Sequence, residues 1–524
     1  MRVGPLLLPR EGGGYIELNL RRCLFALAFL PVAFVAYLKK MLRRISSIVG
    51  FPENHPQRWL VAVFMVALVA ALLGAVRYEI RLLFLLPAGA LVLWLAVVDF
   101  RKVFFLLLGS IPISMEANLP GGFGTDLPSE PLMWLLTLVG LLWLLQNARR
   151  VDARFLRHPI TLALLAHLAW MTVCMITSQN MFVSLKFLAA KGWYVAVFFF
   201  LAGRMLNEER DFKNLLWWFF VPLTVAVSTV LVRHSSIGFS FEDVAYAMGP
   251  FFRNHVMYAC LLAVFLPFVW YGTYWYRRFS LRWWCLVLGI GLLLLGINFA
   301  YTRAAYVALL AAIGIYWFIR WRVLHYALVG AGLIFALFFN FVGDRDNWLL
   351  FAPDFERAIS HKRFESLLEA TTKLEDISTM ERVYRWVAAS YMIRDEPLVG
   401  FGPGNFYFFY QKYTVSSFET YVSDNPERSG IHNYFLMTTV EQGVPGLLFF
   451  LFFCVVTMLQ GQRIYHRTAD PGHRRVLLAA VLCFILVTLL MLMNDFVETD
   501  KIGSLFFLSA AILVNMDLKA RAQT

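Results

Sequence analysis

The sequence predicts an all-α fold, a polytopic transmembrane helical bundle of about 12–14 spans with a large external loop of short helices. Three observations predict it. The 524 residues are 60% hydrophobic and 16% aromatic but only 15% charged, well above the ~45–50% apolar share of a soluble domain. Apolar runs such as "LVAVFMVALVAALLGAV" (60–76), "LLFLLPAGALVLWLAVV" (82–98) and "VLLAAVLCFILVTLLMLM" (476–493) recur along the whole chain. Each approaches the ~20 residues needed to cross a hydrocarbon core ~30 Å thick. Lys and Arg clusters punctuate these runs, and one long polar segment interrupts them.

In chain order, candidate spans fall near 59–76, 82–98, 103–115, 131–146, 159–178, 190–204, 214–233, 255–274, 284–300, 304–319, 323–342, 443–460, 476–494 and 503–516. The earlier apolar stretch 23–38, flanked by Arg21-Arg22 and Lys39-Lys40, lies along the interface or adds a span. It lacks a small-residue cleavage site, so it does not read as a removable signal peptide. The implied organisation is an N-terminal cytoplasmic or interfacial segment (1–58), a transmembrane bundle (59–343), an external loop domain (344–431), C-terminal transmembrane helices (432–518) and a cytoplasmic tail (519–524).

Orientation follows from the basic clusters, because cytoplasmic loops retain positive charge. They occur at Lys39, Lys40, Arg43 and Arg44; Arg149, Arg150, Arg154 and Arg157; Arg277, Arg278 and Arg282; Arg320 and Arg322; Arg463, Arg467, Arg474 and Arg475; and Lys519 and Arg521. Counting spans puts all of them on one side, with both termini cytoplasmic. The net charge of +13 is then a topology signal and not a nucleic-acid footprint. The segment 344–431 falls on the opposite face and holds 14 Asp and Glu against 10 Lys and Arg; loops this long are usually functional. The six cysteines, Cys23, Cys174, Cys260, Cys285, Cys454 and Cys483, lie in apolar runs and read as free and buried, with no disulfide or zinc spacing.

Within the long segment, "PLVGFGPGNF" (397–406) alternates Gly400, Gly402 and Gly404. A nucleotide loop needs a strand before and a helix after it, or Gly-Lys-Ser/Thr. Neither is present, so the glycines read as tight turns returning to the membrane surface. Upstream, "STMERVYRWVAASYMIRDEPL" starts with Ser378 and Glu381 at capping-box spacing. Val383, Trp386, Val387 and Tyr391 recur at helical intervals, giving an amphipathic helix stopped near Pro397 with Arg382 in its first turn. Downstream, "HNYFLMTTVEQGVPGLLFF" reads as a short helix over about 433–442, with Gly443 and Pro445 as its stop and His432 at its N-terminus. Arg303 in "NFAYTRAAYVALLAAIG" falls between two spans at the same face. Taken singly, each of these residues also fits a snorkelling or capping role.

Together, "YTRAAYVALLAA", "MERVYRWVAASYMIRDEPLVGFGPGNF" and "HNYFLMTTVEQGVPGLL" resemble the core of the O-antigen ligase and O-antigen polymerase family of bacterial inner-membrane glycosyltransferases. The resemblance covers about residues 295–450. One departure is Thr302-Arg303-Ala304 where Ser-Arg-Gly is usual.

The resemblance implies transfer of a glycan from undecaprenyl pyrophosphate to an acceptor hydroxyl, lipid A-core or another glycolipid, on the periplasmic face of the inner membrane. No nucleotide, metal or other cofactor enters this scheme. Arg303 and Arg382 are assigned to the pyrophosphate, since arginine stays charged and binds phosphate oxygens bidentately. His432 is assigned as the base that takes the hydroxyl proton. Arg385, one turn on, reads first as a solvated helix face and second as a substrate contact. Glu441 is expected to be structural, pairing with a basic group. Arg253 and His255, at the start of a span, would contact the anionic carrier or anchor the interface, and Lys191 is a further intramembrane candidate. A polymerase of the same fold and a transporter of lipid-linked sugars are the alternatives. Internal repeats typical of transporters are not evident, which favours an enzyme.

Overall fold

The computed structural model describes residues 6–10, 14–18, 69, 85–119, 123–150, 152–343, 377–415 and 430–523. The candidate span 59–76, the stretch 23–38 with Cys23, and most of the loop 344–431 lie outside the described residues, as does the Ser378 side chain. The chain divides into two compact units, Met1–Trp94 and Leu95–Thr524. In the first, β1 (Leu6–Arg10) and β2 (Gly14–Leu18) form an antiparallel hairpin with Leu8 opposite Ile16, which hydropathy did not anticipate.

The long helices α2 (Ser129–Asn147), α3 (Pro159–Ile176), α4 (Met181–Met205), α5 (Glu209–Ser236), α6 (His255–Gly272), α7 (Leu281–Phe299) and α8 (Arg303–Arg320) follow one another through the second unit. After them come α9 (Leu324–Gly343), α10 (Ile377–Asp395), α11 (Tyr434–Arg467), α12 (Pro471–Leu490) and α13 (Asp500–Gln523). Among the described residues, ten helices are long and apolar enough to cross a membrane. The protein is therefore a multi-pass, all-α membrane bundle. The sequence's candidate spans 82–98 and 103–115 are two arms of one element, α1 (Leu85–Ser110), broken at non-helical Asp99; the Asp99 carboxylate accepts the Arg101 amide at 3.2 Å and so starts the second arm. A second small hairpin, Met115–Leu119 with Phe123–Leu127, connects that arm to α2.

Short polar residues start the helices as expected of N-caps. Asn180, Asn254, Ser280, Asn433 and Asp470 each accept a backbone N–H two or three residues into their helix. Burial then separates inner from outer helices. The apolar window of α13 is 94% buried and that of α2 only 22%, so among these ten helices the C-terminal one is the most enclosed and α2 the most exposed. Cys285 is exposed on α7, against the expectation of burial, while Cys174, Cys260, Cys454 and Cys483 are buried.

Consecutive spans alternate in direction, and cross-links at each end agree. At one end His158 and Arg467 reach Asp517 at 3.1 and 3.2 Å, and His466 meets the Ile319 carbonyl at 2.8 Å. At the other, Ser114 donates to Asp500 at 2.5 Å and the Gln179 amide to Phe401 at 3.2 Å. The Tyr434 amide donates to Met491 there at 2.8 Å. The described basic clusters gather at the first end, and His432 lies at the second.

Candidate active site

The glycine motif and the broken turn of α11 form one device. Pro445 has no N–H for the Glu441 carbonyl four residues back, and the Gly402 amide supplies the missing donor at 2.9 Å. Phe401 N donates to Val440 O at 3.0 Å, and Val444 N, thereby released, donates to Pro397 O at 2.8 Å. Trp170 Nε1 satisfies the Gln442 carbonyl at 2.9 Å. A break at membrane depth is tolerated only with such partners. Close approach dictates glycine: Gly400 and Gly443 have φ of +65° and +69°, and a Cβ on them would lie 2.5 Å from Val440 O and 2.0 Å from Leu398 O respectively. The expected helix stop at Gly443 is thus a kink inside a helix that continues to Arg467.

Glu441 is buried and accepts the backbone amides of Phe406, at 3.3 Å, and Gly404. The expected basic partner is replaced by these amides, because the glycine loop presents them inside the clamp. Asn405 ties the same loop to the α3–α4 turn, donating to Ser178 Oγ at 2.6 Å and Phe401 O at 2.9 Å.

The clamp fixes α10 beside the segment that carries His432. Trp386 Nε1 donates to the Ile431 carbonyl at 3.0 Å and Arg385 to the Gly430 carbonyl at 3.0 Å. Arg385 also pairs with Glu381 one turn earlier at 3.2 Å and is 4% exposed. Its reading as a solvated helix face is therefore corrected: the i,i+4 carboxylate and the Gly430 carbonyl neutralise it in place. Arg382, half-buried on the same turn, is close enough for its charge to act on His432, as is Arg385.

His432 adopts a left-handed backbone, φ +59°, an uncommon conformation that marks an over-determined site. Asn433 behind it caps α11, accepting the Leu436 amide at 3.1 Å. The His432 Nδ1 lies 3.2 Å from Asn494 Oδ1. That oxygen also receives the Asp495 amide at 3.0 Å, so it is an acceptor and Nδ1 carries the hydrogen. Nε2 is left with its lone pair. Burial first, then the Arg382 and Arg385 charges, push the His432 imidazole down to about 4 against the opposing pull of Asn494. Asp495 behaves oppositely: burial and then Glu498 push its carboxyl up to about 7, while Arg385 pulls it down.

Lys191 is buried, bonded to Glu498 Oε1 at 2.5 Å and Tyr434 OH at 3.4 Å. It thus braces the first turn of α11 behind His432. Arg303 opens α8 at the same end, half-buried, beside His255, whose carbonyl accepts from Thr302 at 3.4 Å. Arg253 is exposed and His255 half-buried, with its Nδ1 lacking a hydrogen-bond partner among the described residues. Arg382, Arg385 and His432 thus form one group and His255 with Arg303 another, while Arg253 makes no side-chain hydrogen bond or ion pair with either among the described residues. α8 connects the two groups by packing on α12, which leads into Asn494. Among the described residues, no three His, Cys, Asp or Glu side chains are grouped to hold a metal ion.

Residues 288–451 match the family model described as O-Antigen ligase. Over this stretch the chain is similar to the O-antigen ligase family. No curated protein matches the sequence. The matched stretch contains Arg303, Arg382, Arg385, the three glycines, His432 and Glu441, whereas Lys191, Arg253 and His255 precede it. Asn494, Asp495 and Glu498, which sequence reasoning did not single out, follow it. The signal for the two acids was "NDFVETD" (494–500), a cluster of three acids set between two apolar spans.

Proposed function

We propose that the protein is an O-antigen ligase-type glycosyltransferase of the bacterial inner membrane, acting on the periplasmic face with both termini cytoplasmic. The donor is a glycan on undecaprenyl pyrophosphate and the acceptor is a hydroxyl of lipid A-core. The observation that carries the reading is the placing of His432, its Nδ1 held by Asn494 and its Nε2 thereby left the accepting nitrogen, beside two guanidiniums. Nε2 takes the acceptor hydroxyl proton as the oxygen attacks the anomeric carbon. The bond from that carbon to the pyrophosphate oxygen breaks, and the lipid pyrophosphate leaves with the electron pair. Arg382, together with Arg303 from the neighbouring group, stabilises the charge that develops. Arg385, already paired with Glu381, contributes field and position. Pyrophosphate is a good leaving group, so neither nucleotide nor metal is required.

The test is product analysis with purified protein, undecaprenyl-pyrophosphate glycan and lipid A-core, without added ATP and with a chelator. Glycosylated lipid A-core is the expected product. Longer carrier-linked glycan alone would replace the ligase reading with the polymerase one, and the absence of either product would remove the enzyme assignment.

A further inference from the structure

A cavity of about 380 Å³ opens at the basic end, between the α8–α9 turn and the end of α11, lined by Arg322, Gln462, Arg463, His466 and Arg467. We propose that it binds the phosphate of an anionic glycerophospholipid headgroup. Two lining residues form the wall: Gln462 Oε1 accepts the Leu324 amide at 3.2 Å, and His466 bonds the Ile319 carbonyl at 2.8 Å. None of the five is acidic. Among the described residues Arg467 reaches only the Asp517 carboxylate, at 3.2 Å, which Arg521 at 2.6 Å and His158 at 3.1 Å already share. Arg322 and Arg463 are exposed and make no side-chain hydrogen bond or ion pair among the described residues. Converging guanidiniums suit the oxygens of a phosphodiester, which they bind in a fork geometry.

The surroundings select a lipid source. Trp317, Trp321 and Tyr326 beside the cavity are 39%, 62% and 69% exposed, the arrangement of aromatic side chains at a headgroup interface. Val329 and Leu333 continue this exposed strip along α9, giving acyl chains an apolar track from the headgroup. Basic pockets between helices on the cytoplasmic side are known to hold anionic headgroups. Arg277 and Arg278, equally exposed in the α6–α7 loop, are not among the residues that line this cavity and provide the comparison.

The experiment is native mass spectrometry of the full-length protein in detergent, offered phosphatidylglycerol or phosphatidylcholine. Wild type should retain phosphatidylglycerol and not phosphatidylcholine. An Arg322→Ala/Arg463→Ala variant should retain it at least about tenfold less, with Arg277→Ala/Arg278→Ala unchanged. Equal retention of the two lipids by wild type would overturn the proposal without any variant, even if the first variant fails to fold. Equal loss in both variants would reduce it to general charge attraction. Displacement of the lipid by millimolar inorganic phosphate would overturn the lipid source in favour of a soluble anion.

Discussion

His432 Nδ1 and Asn494 Oδ1 lie 3.2 Å apart across 62 residues of sequence, and this contact sets which imidazole nitrogen can accept a proton. Asn494→Leu should lower the transfer rate about 10- to 100-fold, less than the ~10²–10⁴ expected of the base itself. Asn494→Asp should keep the geometry but favour the imidazolium, moving the acid limb of the rate profile to higher pH. A profile unchanged by Asn494→Asp would separate Asn494 from the chemistry.

The pH dependence has two opposing parts. With His432 held down to about 4, transfer should stay active below the ordinary histidine range and fall only as pH drops through about 4. In the unfolded chain the histidine protonates near 6.5, so its contribution to stability is full above that value and is lost as pH falls toward about 4. Asp495 has the opposite sign. Its carboxyl keeps its proton up to about 7 in the folded chain, so its contribution is full below its ordinary range near 3.8 and is lost as pH rises through about 7. Unfolding midpoints in detergent across this range should therefore lose their decline on the alkaline side in Asp495→Asn.

Gly443→Ala and Gly400→Ala test the clamp. Each forces an alanine into a left-handed conformation, costing about 1–3 kcal/mol before any clash is counted, and each puts a Cβ against backbone of the other segment. Both should lower the thermal midpoint and the rate, and the double variant should cost less than the sum, because either change alone already separates the two segments. Additive losses would show that the motifs act separately.

Lys191→Met should strand Glu498 beside Asp495. A loss of about 2–3 kcal/mol is expected, less than for a fully buried pair because the Glu498 side chain is 24% exposed. Lys191→Met/Glu498→Gln should recover part of the thermal midpoint. If the single variant keeps its stability but loses donor binding, Lys191 contacts substrate instead.

Hydropathy made the bundle legible, and residue order made the motifs legible, but neither could show how they meet. Lipid and protein interiors are equally apolar to a side chain, so α13 and α2 read alike although one is the most enclosed of the ten helices and the other the most exposed. The glycine motif was recognisable as turns, whereas its purpose, replacing the donor missing at Pro445, depends on a pairing across some forty residues. Arg385 could have been read from the i,i+4 spacing to Glu381; amphipathic periodicity alone put it on the outer face. Asn494 carried no local signal, since a single amide after an apolar run is ordinary.

The most direct measurement is the rate of glycan transfer from undecaprenyl pyrophosphate to lipid A-core by purified wild type and His432→Ala, each with its thermal midpoint. A fall of about 10²–10⁴ is expected in the alanine variant at a nearly unchanged midpoint. A fully active His432→Ala would contradict the role of His432 as the base.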